Sequence, residues 1–182
     1  RLELKQMHQQ IRGTMIYVTH DQVEAMTLGD KVVVMRDGKV HQTGPPEAIY
    51  SYPSDTFVAT FIGSPEINLY RGMLVRKDGL PYFQGAGFSL NLGRLQIDLK
   101  EGEVEVGIRP EDIGTGQAEA VDLRAEVEMV SYVGSEKYIH ARLGDEALTF
   151  CAPKDTALQP GNVVHVAIDP GRVHIFHKGR RI

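Results

Sequence analysis

Nine short apolar runs fill the stretch from Leu69 to Phe176, bounded by Gly, Pro and Asp turns. They are Leu69–Val75, Tyr82–Phe83, Phe88–Leu92, Val104–Ile108, Leu123–Val133, Lys137–Leu143, Ala147–Cys151, Val163–Ile168 and Val173–Phe176. Asp78-Gly79 and Leu143-Gly144-Asp145-Glu146 are turn signals between strands. Many short strands at close spacing predict a small barrel or sandwich. Glu103, Glu105, Glu126 and Glu128 alternate with Val104, Val106, Val127 and Met129, which reads as the solvent faces of half-buried strands. Cys151 reads as a small core residue within a strand. No internal repeat stands out. His174, His177, Lys178, Arg180 and Arg181 read as a polar, fraying end.

The residues before Ile67 have a different texture. Leu4, Met7 and Ile11 recur at helical spacing, and Gly13 sits where a helix would stop. Thr14–Val18 is apolar on both faces without alternation, as an interior strand of a sheet covered on both sides would be. Thr19-His20-Asp21 closes it, and Gln22–Leu28 reads as a helix capped by Asp21 or Thr19. Lys31–Met35 predicts another strand, Asp37-Gly38 a tight turn, and Lys39–Gln42 an antiparallel return. Pro45-Pro46 can start a short helix through Tyr50, and Phe57, Val58, Phe61 and Ile62 make a helical stripe. Helix, buried strand, polar turn, helix is an α/β order. Gly63-Ser64-Pro65 marks the boundary, which gives an α/β part over 1–66 and a β part over 67–182.

Composition limits the function classes. The net charge is −4, with 20 Lys+Arg against 24 Asp+Glu and no Trp. Beyond Ile62 the chain carries 14 basic and 17 acidic residues, so no basic groove or stacking platform for nucleic acid is expected. One cysteine excludes an internal disulfide and any multi-thiolate metal site. No metal-ligand set stands out. The longest apolar stretches, Met15–Val18 and Val32–Met35, hold four residues each, too few to cross a bilayer. The opening residue, Arg1, leads straight into an amphipathic helix, so the chain reads as a piece of something longer.

His20 is the candidate for chemistry. In open parallel α/β sheets, ligands bind beyond the carboxyl ends of strands. An imidazole there can donate an N–H to a phosphate oxygen, and a positioned histidine in proton transfer is worth ~100- to 10,000-fold. On spacing alone, a single histidine at a strand end reads first as structural. Glu24 reads as an acid favouring the helix dipole. Arg109 can form a local ion pair with Glu111 or Asp112. The Gly85-Ala86-Gly87 and Gly114-Thr115-Gly116 pieces lack the flanks of a dinucleotide site and read as loops.

The run TMIYVTHDQVEAMTLGDKVVVMRDGKVHQTGPPEAIYSYPSDTFVATFIGSPEIN closely resembles the ATPase subunits of bacterial ABC importers, above all those for carbohydrates and glycerol-3-phosphate. Gly63-Ser64-Pro65 and Asn68 match the junction into a C-terminal β domain, and Gly107-Ile108-Arg109-Pro110-Glu111-Asp112 a recurring phrase inside it. The resemblance implies the C-terminal piece of a P-loop NTPase domain followed by an OB-like regulatory β-barrel. It implies that His20 is the switch histidine touching the γ-phosphate of ATP. In the longer parent it implies ATP and Mg²⁺ as cofactors, a homodimer of ATPase subunits, a membrane permease pair, and a regulatory inhibitor on the β domain. It places the parent on the cytoplasmic face of the inner membrane as a peripheral subunit, coupling ATP hydrolysis to uptake of sugars or sugar-phosphate-like solutes. The alternative is a non-catalytic OB-like module that binds a small ligand or a partner.

The phosphate-cradling loop G-x-x-x-x-G-K-[ST], the family's signature motif and the strand end with the catalytic glutamate do not occur in these 182 residues. No ATP or Mg²⁺ binding is therefore expected of the 182 residues alone. A sample of verified mass 20.2 kDa is expected to show no ATP turnover in a phosphate-release assay, and turnover abolished by His20→Ala would overturn that expectation.

Overall fold

A computed structural model describes residues 2–11, 13–95, 97–98, 101–116 and 123–182. Arg1, which opens the expected α/β part, lies outside them. The chain divides into two compact units, residues 1–63 and 64–182.

The first unit holds helices α1 (Leu2–Ile11), α2 (Gln22–Leu28), α3 (Pro46–Ser51) and α4 (Thr56–Phe61), and a hairpin of β1 (Val32–Arg36) and β2 (Lys39–Gly44). The hairpin turns at Asp37 and Gly38, whose φ angles of 50° and 73° are the left-handed pair that a two-residue turn needs. Val32, Val34, Ile49, Val58 and Ile62 form its core, with Met26 and Phe57 packed against them. Asp55 starts α4: one carboxylate oxygen accepts from Val58 N at 2.8 Å, and the other meets His41 Nδ1 at 2.7 Å.

Thr14–Val18 is not a strand here. The segment is extended without a ladder, and Ile16 and Val18 are 88% and 90% exposed. A strand exists only where a neighbour accepts its backbone hydrogen bonds. Among the described residues of this unit, the one sheet is the β1–β2 hairpin, which does not extend to Thr14–Val18.

The second unit is two antiparallel sheets over one core. One sheet has the order β10-β9-β8-β11-β7, the other β13-β12-β6-β3-β4-β5. These strands are β3 (Asn68–Lys77), β4 (Leu80–Gly85), β5 (Ser89–Asn91), β6 (Gly102–Ile108), β7 (Ile113–Thr115), β8 (Leu123–Tyr132), β9 (Glu136–Leu143), β10 (Glu146–Pro153), β11 (Val163–Ile168), β12 (His174–His177) and β13 (Arg180–Arg181). Tyr70, Leu74, Phe83, Val104 and Val106 of one sheet share a single apolar cluster with Val127, Ile139, Leu148, Phe150 and Val166 of the other. Gly72 has to be glycine, because a Cβ there would collide with the Phe83 ring and the Gln84 carbonyl.

Asn68 joins the sheets. Its amide nitrogen donates to Ile108 O at 3.0 Å and Thr149 O at 2.8 Å, and its Oδ1 accepts from Thr149 N at 2.7 Å. Tyr70 Oη donates to Ala147 O at 3.0 Å. The edge strand β10 is thus bound to β3 by side chains standing in for a ladder.

Two crossings connect the sheets as well. β6 leads through a 3-10 turn at Pro110–Asp112 into β7, and β11 through a 3-10 turn at Pro170–Arg172 into β12. They run antiparallel, pairing Ile113 with Ile168 and Gly107 with His174. Val106-Gly107-Ile108-Arg109-Pro110 and Val166-Ala167-Ile168-Asp169-Pro170 occupy the same place in the two crossings, a local repeat hidden by its few identities. Arg172 and Asp112, one from each turn, pair at 2.7 Å. Arg109 is buried, 2% exposed. Gly114 and Thr115 belong to β7, not to a loop. The polar end is not frayed either: His174 is buried in β12, and Arg180–Arg181 add strand β13. Cys151 faces away from the core, between Phe150 and Ala152, which face it.

Asn68→Ala would leave the Thr149 N–H and two carbonyls without their partner. It is expected to lower the unfolding free energy by about 3 kcal/mol in urea titration. Asn68→Asp is expected to be no better, because a carboxylate facing two carbonyls restores only the Thr149 N–H contact. A neutral Asn68→Ala would mean the sheets close without the bridge.

Candidate functional site

His20 stands at a bend between the extended segment and α2, with its side chain exposed. What orders this bend is a set of side chains around it. Asp21 is the N-cap of α2, and its Oδ1 accepts from Glu24 N at 3.1 Å. The Asp21 N–H donates to Thr19 Oγ1 at 3.0 Å. Glu24, at the third helical position, reaches back as in a capping box. Its Oε2 accepts from Thr19 Oγ1 at 2.8 Å and from Tyr17 Oη at 3.1 Å. The residues on both sides of His20 are therefore held while its ring is left facing out. Glu24 does more than favour the helix dipole. The Asp-x-x-Glu spacing, Asp21 to Glu24, was the sequence signal for this network.

Among the described residues, no three His, Cys, Asp or Glu come together as a cation site. Glu105 pairs with Arg71 at 3.3 Å and Glu128 with Arg142 at 2.7 Å, which suits strand faces turned to solvent. Burial pushes the Cys151 thiol up to about 11, with Glu136 and Glu111 adding to the shift, so the thiol stays protonated and is a poor nucleophile. A cavity of about 470 Å³ in the second unit is lined by Arg76, Pro81, Leu95, Ile97 and Asp98, none of them a candidate from sequence. The Arg76 guanidinium there already donates to Gly79 O at 3.2 Å and Ile97 O at 3.4 Å. No helix among the described residues is long and apolar enough to cross a membrane.

Residues 63–113 match the family described as the MalK OB fold domain, and residues 106–176 the TOBE domain. The sulfoquinovosyl glycerol transport ATP-binding protein SmoE of Agrobacterium fabrum is 39% identical over 97% of this chain and 49% of its own length. The sn-glycerol-3-phosphate import ATP-binding protein UgpC of Jannaschia sp. is 37% identical over 100% of this chain and 50% of its own. The trehalose/maltose import ATP-binding protein MalK of Thermococcus litoralis is 38% identical over 98% and 50%. The chain spans about half the length of these curated relatives.

One buried titratable group in the β unit gives a pH dependence. Burial, helped by the charges of Arg181 and Arg109, pushes the His174 imidazole down from 6.5 to about 4. Between those values the unfolded chain takes up a proton that the folded chain does not. The stability that neutral His174 allows is complete above pH 6.5 and is lost as pH falls toward about 4. Urea midpoints at pH 7 and pH 4.5 are expected to differ, and His174→Asn to narrow the difference. An unchanged difference in His174→Asn would assign the acid sensitivity to other groups.

Proposed function

This chain is a homologue of the ATP-binding subunits of sugar and glycerol-3-phosphate importers and carries their MalK-type OB fold and TOBE domains; on that premise we propose that it is the C-terminal portion of an ABC importer ATPase. The supporting observation is alignment at 37–39% identity over 97–100% of the chain. Residues 1–66 are the last part of the nucleotide-binding domain, and 67–182 the regulatory β domain. The relatives' names cover a sulfoquinovosyl glycerol, a glycerol phosphate and disaccharides. The solute is accordingly a sugar or a sugar-phosphate-like molecule. The working unit is a dimer of ATPase subunits docked on a permease pair at the cytoplasmic face of the membrane. The β domain is the surface on which a regulatory protein acts.

Among the described residues, His20 is a side chain that fits a nucleotide contact. It is exposed, held by its flanking residues, and able to donate an N–H to a γ-phosphate oxygen. In phosphoryl transfer such a donor positions the group and stabilises its charge. Mg²⁺, when bound, neutralises phosphate charge in such sites. Among the described residues, no three His, Cys, Asp or Glu come together to hold the ion.

In the longer polypeptide that carries these residues, His20→Ala is expected to cut ATP turnover by about 100-fold or more. Thermal unfolding of the β domain should stay unchanged. Wild-type turnover in His20→Ala would remove the proposed role.

A further inference from the structure

We propose that Glu24 is the positioning residue for His20, acting through the hydroxyls of Thr19 and Tyr17; this rests on the reading of His20 as the phosphate contact. His20 directly follows the extended segment Thr14–Thr19. One carboxylate oxygen gathers the side chains on either side of the bend. Glu24 Oε2 takes the Thr19 hydroxyl at 2.8 Å and the Tyr17 hydroxyl at 3.1 Å. Thr19 is in turn the acceptor for the Asp21 N–H at 3.0 Å. Thr19 and Asp21 are the two neighbours of His20, so the peptide carrying His20 is clamped on both sides. The clamp is anchored to α2, because Asp21 Oδ1 accepts the Glu24 N–H at 3.1 Å.

The geometry selects an acceptor at this position, not a charge. A hydroxyl donates one proton, and Thr19 Oγ1 spends its own on Glu24 while accepting from Asp21. Both hydroxyls find that acceptor at residue 24. Glutamine supplies one through its amide oxygen; alanine supplies none. Remove the acceptor, and the Thr19 hydroxyl turns elsewhere, so the Asp21 N–H loses a fixed partner. The His20 ring then samples orientations that do not face the phosphate. A misplacement on the order of 1 Å at such a group costs up to about 100-fold in rate.

The test has two arms. In the 182-residue chain, amide hydrogen exchange at Asp21 and the His20 ring resonances are followed in wild type, Glu24→Ala, Glu24→Gln and Thr19→Val. Exchange at Asp21 should speed up, and the His20 resonances move toward random-coil positions, in Glu24→Ala and Thr19→Val but not in Glu24→Gln. In the longer polypeptide, Glu24→Ala should lower kcat for ATP about 10- to 100-fold with KM nearly unchanged. Glu24→Gln should restore most of the rate. Glu24→Ala added to His20→Ala should cost nothing further, since Glu24 works only through His20. Wild-type turnover in His20→Ala would sink the reading of His20 itself. A His20→Ala defect together with full activity and an ordered bend in Glu24→Ala would sink only the role of Glu24. Loss of folding in Glu24→Ala leaves Thr19→Val to decide: normal exchange at Asp21 in that variant overturns the clamp.

Discussion

The carboxamide of Asn68 carries more than its size suggests. It lies on a strand of the six-stranded sheet, yet its three hydrogen bonds satisfy Ile108 of that sheet and both backbone groups of Thr149 in the other. An amide is the one side-chain group that can donate and accept as a peptide does. At the seam it acts as a peptide unit of neither strand. Around that seam the apolar cluster from Tyr70 to Phe150 closes. The aromatic contact of Tyr70 on Phe88, edge to face at 5.0 Å, sits beside it. Tyr70 spends its hydroxyl on the same neighbouring edge, at Ala147. Two sheets with no such bridge would leave β10 as a bare edge with unmet backbone groups.

The first unit solves a different problem with the same resource. Among the described residues its extended segment joins no sheet, and side-chain hydroxyls and carboxylates organise its end. The order at His20 is local, drawn from residues within seven positions of one another. Asp55 behaves in the same way at α4, capping the helix with one oxygen and fixing His41 with the other. His41 in turn lies against Phe57 at 4.7 Å between ring centroids. Both carboxylates link a turn to the residue that follows or faces it.

Much of this was readable in the residues. Asp37-Gly38 and Asp78-Gly79 predict turns by their left-handed tolerance, and both turn with positive φ. The alternation of Glu103, Glu105 and Glu126 with Val104, Val106 and Val127 gives the strand faces, because a half-buried sheet sorts side chains with period two, but Met129, past the register shift after Val127, is 52% exposed. Thr14–Val18 misled because its composition records a preference, whereas a strand also needs a partner. The polar end misled in the opposite sense. His174 and Arg181 look like solvent residues, but pairing with β6 pulls His174 inside. Arg109 was hidden for a similar reason, since nothing in a Gly-Ile-Arg-Pro phrase tells which way a crossing strand turns its side chains. The clamp at Glu24 needed three residues read together, Thr19, Asp21 and Glu24, where each alone has an ordinary helix-start role.

The two crossings between the sheets also set an order of events during synthesis. The strand Ile113–Thr115 pairs with one neighbour, Val166–Ile168, and that neighbour leads into the strand that pairs with β6. A ribosome adding about 5 to 20 residues per second needs several seconds to travel from one partner to the other. For that interval the growing chain carries a strand whose mate has not been made. Neither sheet can be finished until β11 and β12 have both been made.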